Sequence, residues 1–421
     1  MSAARRACVL GAGVVGSAAA YALARDGWRV TLVDAHARPG QGASKANGGQ
    51  LSYSYVEPLA TPAALRSLPR WLLSPDSPLR WRPRAEAAHL RWLLQFMAAC
   101  RWPQVRATTD ALLGLSFLSR GTLHRWLDEI PGLREAIHHA RPGKLVVHRD
   151  PAYRAAAQRQ IDWQRRHGCD QRLVEADECV ALEPALAAGG GGPIAFGVWT
   201  ADEETADAAR LADGLARAAG ATLLFGRRAR SLDVRGGRVA ALRCEGGETV
   251  EADHFVLAGG PAAAGLLRPL GLALPIEPIR GYSVTLPIVD DAAAPRASIT
   301  DAGRKLVHAR LGDRLRTAGF AELCGPHPTV DPRRIAALCE AVAQTFPGAC
   351  DLSDPQPWAG LRPATPGGRP MVGRTRLPNL WIDAGQGALG LTLAAGSAAL
   401  LAALVDGREP PVAPRPFAVP S

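Results

Sequence analysis

Glycines near the start of the chain form the motif Gly-x-Gly-x-x-Gly, with its three positions at Gly11, Gly13 and Gly16. An apolar strand is predicted before the motif at 7–10, and a small-residue helix after it at 14–24. A second strand at 29–33 ends in Asp34, which lies 18 residues past Gly16. Such glycines allow a tight turn and close approach to a pyrophosphate at the helix N-terminus, while the acid accepts from a ribose hydroxyl. The pattern predicts a site for the ADP half of a dinucleotide.

A second copy of the motif lies near the end of the chain, at Gly385, Gly387 and Gly390. It falls between a strand predicted at 379–383 and an apolar helix at 389–405, but no second strand ending in an acid follows it. A helix N-terminus can instead face the negative charge that a reduced flavin carries at N1 and its C2 carbonyl. This favours FAD over NAD as the cofactor. The alternative is a tight turn that merely precedes a core helix.

Distant segments must fold together to place these motifs. Strands are predicted at 143–148, 221–225, 238–244 and 254–257, and helices at 152–167 and 208–219, the latter capped by Asp207. We predict an α/β fold with a discontinuous Rossmann-type FAD-binding domain and a second, mixed-sheet substrate domain. The predicted FAD-binding domain comprises 1–60, 200–272 and 355–421, and the substrate domain comprises 61–199 and 273–354.

Composition agrees with an enzyme of more than one lobe, because 421 residues with 47% hydrophobic content can bury a large core. The eight cysteines are scattered and include no Cys-x-x-Cys pair, which predicts no metal site, no disulfide framework and a reducing compartment. The N-terminus superficially resembles a signal peptide, but it carries the first strand and helix of the cofactor site. We therefore expect a cytoplasmic, unprocessed protein.

Two segments bear on membranes. Residues 384–405 carry no charge over 22 positions, and we interpret them as a buried core helix rather than a membrane span. Residues 66–106 carry eight arginines against Asp76 and Glu86, interleaved with four tryptophans. This composition suits either a peripheral membrane contact or helices that cover an active site. Nucleic-acid binding is not predicted, because no recognised module accompanies the basic segment.

Four sequence blocks carry a family resemblance along nearly the whole chain. They read GAGVVGSAAAYALARDG, VTLVDAHARPGQGASKANGGQ, IRGYSVTLPI and WAGLRPATPGGRPMVGRTRLPNLWIDAGQGALGLTLAAGS. Together they resemble the FAD-dependent D-amino acid dehydrogenase family, within the wider D-amino acid oxidase, glycine oxidase and sarcosine oxidase superfamily. The resemblance implies a D-amino acid oxidase-like fold and non-covalent FAD, since no cysteine lies in the C-terminal flavin segments.

The resemblance also implies which residues hold the cofactor. The ADP half would lie against Gly11, Gly13, Val14, Val15, Gly16 and Asp34, with Ala258 and Gly259 at a further strand end. Ser44 and Asn47 would lie near the pyrophosphate, and Gly48, Gly49 and Gln50 near the ring. The pyrimidine edge would be cradled by the segment that contains Gly385, Gln386, Gly387, Leu389, Gly390 and Thr392.

For the substrate, Arg362 in GLRPATP is the strongest candidate, because a guanidinium matches the two oxygens of an amino acid carboxylate. Tyr282 in RGYSV could bond the carboxylate or shape the pocket, or could be a packed strand residue. Tyr53 and Tyr55 follow the flavin loop and could line the same pocket. All four are catalytic-site candidates.

The implied reaction is oxidative deamination of a D-amino acid, a small-molecule substrate. Hydride passes from Cα to flavin N5, the imino acid hydrolyses to a 2-oxo acid and ammonia, and the electrons pass to a quinone or another carrier. The chain departs from the usual family pattern at Gln386, where a histidine is common, and at Leu391, where a tryptophan is common. These changes keep two alternatives open, an oxygen-using amine oxidase of the glycine or sarcosine oxidase kind and a dehydrogenase of a cyclic D-amino acid such as a D-proline derivative. A non-enzymatic flavin-binding protein is a third class.

Overall fold

The strand before the first glycine motif lies within a largely parallel sheet. The computed structural model describes residues 4–66, 79–82, 84–190, 192–323 and 325–420. Within them, the first sheet has six strands in the spatial order Met371–Arg374, Leu380–Ala384, His254–Leu257, Arg6–Leu10, Arg29–Val33 and Thr222–Leu224. All neighbours in this sheet are parallel except the first pair. This is the Rossmann-type sheet that the sequence predicted.

Helices surround the largest apolar core, which lies against this sheet. They are Val14–Arg25, Trp102–Glu129, Ala208–Ala218 and Gly390–Val405. Asp207 caps the third of them as predicted, because its carboxylate accepts from the amides of Ala209 and Arg210. The segment Gly387–Val405 is long and apolar enough to cross a membrane by composition, yet 67% of it is buried within the protein. It is placed as a core helix.

The second sheet is mixed and forms the other wall of the molecule. Among the described residues its strands follow the order Gln356–Ala364, Glu277–Pro287, Arg314–Leu323, Leu306–Leu311, Ser298–Asp301, Lys144–His148, Phe196–Thr200 and Gln171–Val174, with Leu79–Trp81 also paired to Arg314–Leu323. Helix Pro332–Thr345 contributes Ile335, Leu338 and Val342 to the core on this sheet.

Shorter elements complete the fold. A three-stranded antiparallel sheet comprises Ala229–Arg235, Arg238–Cys244 and Thr249–Glu251, and a two-stranded ladder joins Gln50–Leu51 to Glu204–Thr205. The remaining α-helices are 62–66, Ala87–Ala99, Leu133–Ala136, Arg154–Arg165, Ala176–Leu182 and Ala263–Leu267. Single 3₁₀ turns occur at Pro151–Tyr153, Pro184–Leu186, Gly260–Ala262, Arg268–Leu270, Gly387–Leu389 and Arg415–Phe417.

Two parts of the predicted domain division need correction. Strand Gln356–Ala364 was assigned to the cofactor domain, but it pairs with Glu277–Pro287 in the second sheet. Helix Trp102–Glu129 was assigned to the substrate domain, but its Leu112, Leu123 and Trp126 belong to the core under the first sheet. In both cases the segment that the element packs or pairs with lies far away in the sequence. Local sequence patterns therefore do not indicate the contact. The other predicted boundaries stay predictions.

Candidate active site

A cavity of about 2000 Å³ lies between the strand ends of the first sheet and one face of the second. Its volume exceeds the roughly 300–1,000 Å³ of ordinary small-molecule sites, which leaves room for a cofactor and a substrate together. The predicted cofactor residues that line it are Gly11, Gly13, Val14, Val15, Asp34, Ser44, Asn47, Gly48, Gly49, Gln50, Ala258, Gly259, Gln386, Gly387, Leu389, Gly390 and Thr392. The fold thus brings four distant segments onto one surface.

The first glycine motif is shaped for close backbone approach. Gly11 has φ +104°, and a Cβ there would lie 2.7 Å from the carbonyl oxygen of Ala258. Gly16 lies behind the lining rather than on it, where a Cβ would meet the Gly11 carbonyl oxygen at 1.8 Å. Ser44 accepts from the amide of Val14 at 3.0 Å and so ties the small-residue loop to the helix N-terminus. These features fit the ADP half of FAD.

Asp34 occupies the position expected of the ribose-binding acid. It lies on the cavity, and its two carboxylate oxygens accept from the amides of Ala12 at 2.6 Å and His36 at 2.8 Å. These contacts fix the carboxylate at the end of Arg29–Val33, beside the glycine turn. An acid held there can accept from a ribose hydroxyl through its remaining lone pairs.

The second glycine motif turns the chain from strand to helix at the cavity. Gly385 has φ +90° and packs against Thr365, so it serves the turn and lies outside the lining. Gln386 faces the cavity, and its amide donates to Asp383 at 2.6 Å. Burial raises the pKa of the Asp383 carboxyl well above its usual range. The hydrogen bond between Gln386 and Asp383 fixes the turn at the place where the sequence predicts contact with the pyrimidine edge of the flavin.

The loop that follows Ser44 joins the two sheets. Asn47 accepts from the amide of Gly49 at 3.1 Å, which rigidifies the turn. The Gln50 amide donates to the Ser298 hydroxyl at 2.6 Å, on the second sheet. Further along, the hydroxyl of Thr392 accepts from the amide of Ser52 at 3.0 Å. The loop is therefore bonded both to the substrate-side sheet and to the N-terminal turn of Gly390–Val405.

Arg362 lies on strand Gln356–Ala364 and lines the cavity. One of its terminal nitrogens donates to the backbone carbonyl of Phe320 at 2.7 Å. Phe320 has a left-handed backbone conformation, with φ +59°. Burial lowers the pKa of Arg362 to about 10. Among the described residues no carboxylate forms an ion pair with it. A desolvated cation in this position has a ready counter-ion in the carboxylate of a ligand.

Gly281 is a site residue that the sequence interpretation missed. It stands opposite Gly360 in the strand pair, and a Cβ there would lie 2.4 Å from Nη2 and 2.5 Å from Cζ of Arg362. The absence of a side chain therefore leaves the space that the guanidinium fills. A glycine inside a strand pattern signals such close approach, and the sequence RGYSV does carry that signal.

Replacing Gly281 with alanine is expected to raise KM for the substrate about tenfold or more, with FAD still bound. The new methyl group would push the flexible guanidinium away from its carbonyl anchor, and a misplaced anchor group costs rate steeply. Steady-state kinetics and the flavin spectrum measure the effect. Gly114→Ala is the matched control, because nothing lies within 4 Å of a Cβ there. An unchanged KM in Gly281→Ala would show that the present guanidinium position is not required.

The two predicted site tyrosines that line the cavity, Tyr55 and Tyr282, have different surroundings. Tyr282 is buried, and its hydroxyl donates to Glu322 at 2.9 Å, so its proton is not directed at a substrate carboxylate here, and its role in the pocket stays a prediction. Burial together with Glu322 raises the pKa of Tyr282. Tyr55 is half-buried, with the Lys144 ammonium 4.4 Å from its ring centre. Burial raises the pKa of Tyr55 to about 12, so its phenol stays neutral at physiological pH.

Tyr53 does not line the cavity, which corrects its predicted substrate contact. Its hydroxyl donates to Glu204 at 3.1 Å, in a cluster with His124 and His139. Arg134 donates to Nδ1 of His139, so that ring carries its proton on Nε2 and donates to Glu204. A metal would need the same Nε2 without its proton. The cluster is thus arranged as a hydrogen-bonded network.

Comparison with known proteins agrees with this geometry. The family described as FAD dependent oxidoreductase (DAO) matches residues 6–404. A protein of Ralstonia nicotianae named D-amino acid dehydrogenase 2 is 47% identical over 423 residues, covering 98% of this chain and 99% of its own. A protein of the same name from Pseudomonas aeruginosa is 46% identical over 412 residues, covering 97% and 96%.

Solved structures show the same fold at low identity. Glycine oxidase from Geobacillus kaustophilus matches with a TM-score of 0.77 and 21% identity, over 99% of both chains. L-Amino acid deaminase from Proteus myxofaciens, in complex with anthranilate, matches with a TM-score of 0.71 and 15% identity, over 100% of this chain and 94% of that one. At these identities the likeness supports the architecture of two sheets around one cavity.

Proposed function

The chain belongs to the DAO family of FAD dependent oxidoreductases, and we propose that it catalyses the FAD-dependent oxidative deamination of D-amino acids. The observation that carries the proposal is Arg362, a half-buried guanidinium on the same cavity as the cofactor glycines, with no ion-pair partner among the described residues. Its geometry suits one carboxylate, and the curated relatives are named for D-amino acids. The alternative function, an oxygen-using amine oxidase of the glycine oxidase kind, has weaker support, because the chain is only 21% identical to the matching glycine oxidase structure.

The chain's own residues bind and orient the substrate. Arg362 holds the carboxylate, which fixes Cα relative to the cofactor surface formed by Gly387–Leu389 and Thr392. When bound, FAD supplies a hydride acceptor at N5. The substrate ammonium must lose its proton before or during hydride transfer, and no dedicated base is obligatory for that step. The products are the imino acid, then a 2-oxo acid and ammonia after hydrolysis.

The electron acceptor is proposed to be a quinone or another carrier rather than oxygen. The direct test is turnover of a panel of D-amino acids with an artificial electron acceptor under argon and then under air. We expect one 2-oxo acid and one ammonia per two electrons, with little hydrogen peroxide in air. Fast peroxide formation would instead assign the protein to the oxygen-using amine oxidases.

A surface beside the cavity supports peripheral membrane contact on the cytoplasmic face. On helix Ala87–Ala99 the buried face holds Trp92 and Phe96, which stack on each other at 5.3 Å. The opposite side exposes Leu90, Leu94 and Met97, with Trp102 at the start of the next helix. Exposed arginines, Arg91, Arg101 and Arg106, flank this ridge. An apolar ridge among cations suits an anionic bilayer surface. Arg70, Trp71 and Asp76 of the predicted segment lie outside the described residues.

Leu94→Gln combined with Trp102→Gln is expected to weaken binding to anionic phosphatidylglycerol vesicles about tenfold or more, because two apolar side chains lose their burial in the bilayer. Co-sedimentation at several salt concentrations measures it. Val289→Gln with Leu352→Gln is the matched control, since these side chains are 64% and 40% exposed elsewhere on the surface. Equal vesicle binding by both double variants would show that the ridge does not contact the membrane. The alternative, that these helices only cover the active site, would then be favoured.

A further inference from the structure

Lys144 is an unusual residue of this cavity. Only three of the chain's 49 basic residues are lysines, Lys45, Lys144 and Lys305. Lys144 is 2% exposed, yet it lines the cavity from the first position of strand Lys144–His148. Buried lysines are rare unless their charge is used or compensated. The sequence interpretation assigned it no role.

Hydrogen bonds connect this ammonium to both segments that are predicted to face the flavin. Nζ donates to the Gln50 side-chain oxygen at 3.1 Å and to the Ser52 hydroxyl at 2.7 Å. Ser52 in turn donates through its amide to Thr392 at the N-terminus of Gly390–Val405. The positive charge therefore stands within two hydrogen bonds of the helix N-terminus that is predicted to cradle the pyrimidine edge.

The counter-ion of Lys144 lies on the protein side rather than in the cavity. Glu203 is 1% exposed, does not line the cavity, and accepts from the amide of Ser54 at 2.6 Å. Burial raises the pKa of Glu203 to about 7 and lowers that of Lys144 to about 8, while each charge favours the ionised form of the other. Among the described residues the second carboxylate oxygen of Glu203 has no hydrogen-bond partner, and Lys144 donates to Gln50 and Ser52 rather than to Glu203.

The substrate carboxylate is too distant to be the target of this ammonium. Lys144 and Arg362 lie on strands separated by four others in the second sheet. Counted along the sheet at about 4.8 Å per strand, the two strands are roughly 24 Å apart, so a small amino acid held by Arg362 would not place its carboxylate at Lys144. The group expected between the loop and the helix N-terminus is the flavin ring of the proposed FAD site.

We propose that Lys144 supplies the positive charge that stabilises the anionic reduced flavin, with Glu203 as the opposing charge that sets its strength. The inference rests on the proposed FAD site and goes beyond the proposed reaction. A cation near the pyrimidine edge favours the electron-rich form of the ring and raises its reduction potential. A purely structural role, in which Lys144 only ties Gln50 to Ser52, does not predict opposite shifts of the potential when Lys144 and Glu203 are each neutralised.

The test compares Lys144→Met with Glu203→Gln in the FAD-loaded protein. The probe is sulfite, whose lone pair adds to flavin N5 and leaves the negative charge on the pyrimidine side of the ring. Its dissociation constant is read from bleaching of the flavin band, and the two-electron midpoint potential is measured in parallel. Lys45→Met is the matched control, because Lys45 is exposed in the same loop and does not line the cavity.

Opposite shifts are expected from the two variants. Lys144→Met should weaken sulfite binding at least tenfold and lower the potential by about 30 mV or more, the equivalent of a factor of ten for a two-electron couple. Glu203→Gln should tighten sulfite binding several-fold and raise the potential. Shifts of the same sign, or none, would overturn the proposal. If Lys144→Met leaves Glu203 unpaired and fails to fold, the double variant with Glu203→Gln takes its place, with the Lys144→Met shift measured against Glu203→Gln alone.

These readings are independent of turnover. A protein that binds FAD and shows the opposite shifts, but oxidises no D-amino acid, would keep the assignment of Lys144 and reject the proposed reaction. If the protein oxidises D-amino acids but both variants leave the sulfite affinity unshifted, the proposed reaction is kept and the assignment of Lys144 is rejected.

Discussion

Arg362→Ala is expected to lower kcat/KM for a D-amino acid about 10²–10³-fold, because truncating one partner of a buried charge pair costs roughly 2–5 kcal/mol. The guanidinium lines the cavity, it is anchored by the Phe320 carbonyl, and no described carboxylate neutralises it. Losing it removes the fork that fixes the substrate carboxylate and Cα. Anaerobic stopped-flow reduction of the flavin gives both the apparent substrate affinity and the limiting rate.

Two further variants separate this role from general damage. Arg362→Lys keeps the charge without the bidentate fork, so it should recover only part of the loss. Arg374→Ala changes an exposed arginine on strand Met371–Arg374 of the first sheet and should leave the kinetics as they are. If Arg362→Ala binds FAD normally and reacts as fast as the original protein, the carboxylate must be held elsewhere.

Gly11→Val is expected to give a folded protein without bound FAD. The residue has φ +104°, which strains any L side chain, and a Cβ would lie 2.7 Å from the Ala258 carbonyl oxygen at the lining of the cavity. The turn must then open, and the helix N-terminus at Val14 loses its approach to the pyrophosphate. The ratio of flavin to protein absorbance after purification, and FAD titration of the apoprotein, measure the loss.

Gly27→Ala is the matched control for this variant. Gly27 also has a positive φ, +84°, but nothing lies within 4 Å of a Cβ there and it does not line the cavity. It should cost some stability, on the order of 1 kcal/mol, and keep the cofactor. Full FAD occupancy in Gly11→Val would contradict the placement of the pyrophosphate at the first motif.

The cofactor side of the site was accessible from sequence because its signals are local. The strand, the glycine turn, the helix and Asp34 follow one another within the first 34 residues, and each has a strict backbone requirement. The cap at Asp207 is local in the same way, and its helix ends one residue before the predicted position 219. The resemblance of the four blocks supplied the family, which the comparisons confirm.

The substrate side depended on contacts that sequence does not display. Tyr282 and Tyr53 look alike in the sequence, yet each donates to a glutamate far along the chain, Glu322 and Glu204, and only Tyr282 lines the cavity. Lys144 begins an apolar strand, where a basic residue normally marks an exposed end. Its neighbours come from two other segments, the one with Gln50 and Ser52 and the one with Glu203, which become adjacent to it only on folding.

The most direct test of D-amino acid oxidation is anaerobic bleaching of the bound flavin's visible absorbance by matched D- and L-amino acids, glycine, sarcosine and D-proline derivatives. We expect rapid, complete bleaching by one or more D-amino acids, none by their L-isomers, and slow recovery of colour when air is readmitted. A yellow protein that no D-amino acid bleaches, or that bleaches equally with both isomers, would contradict it.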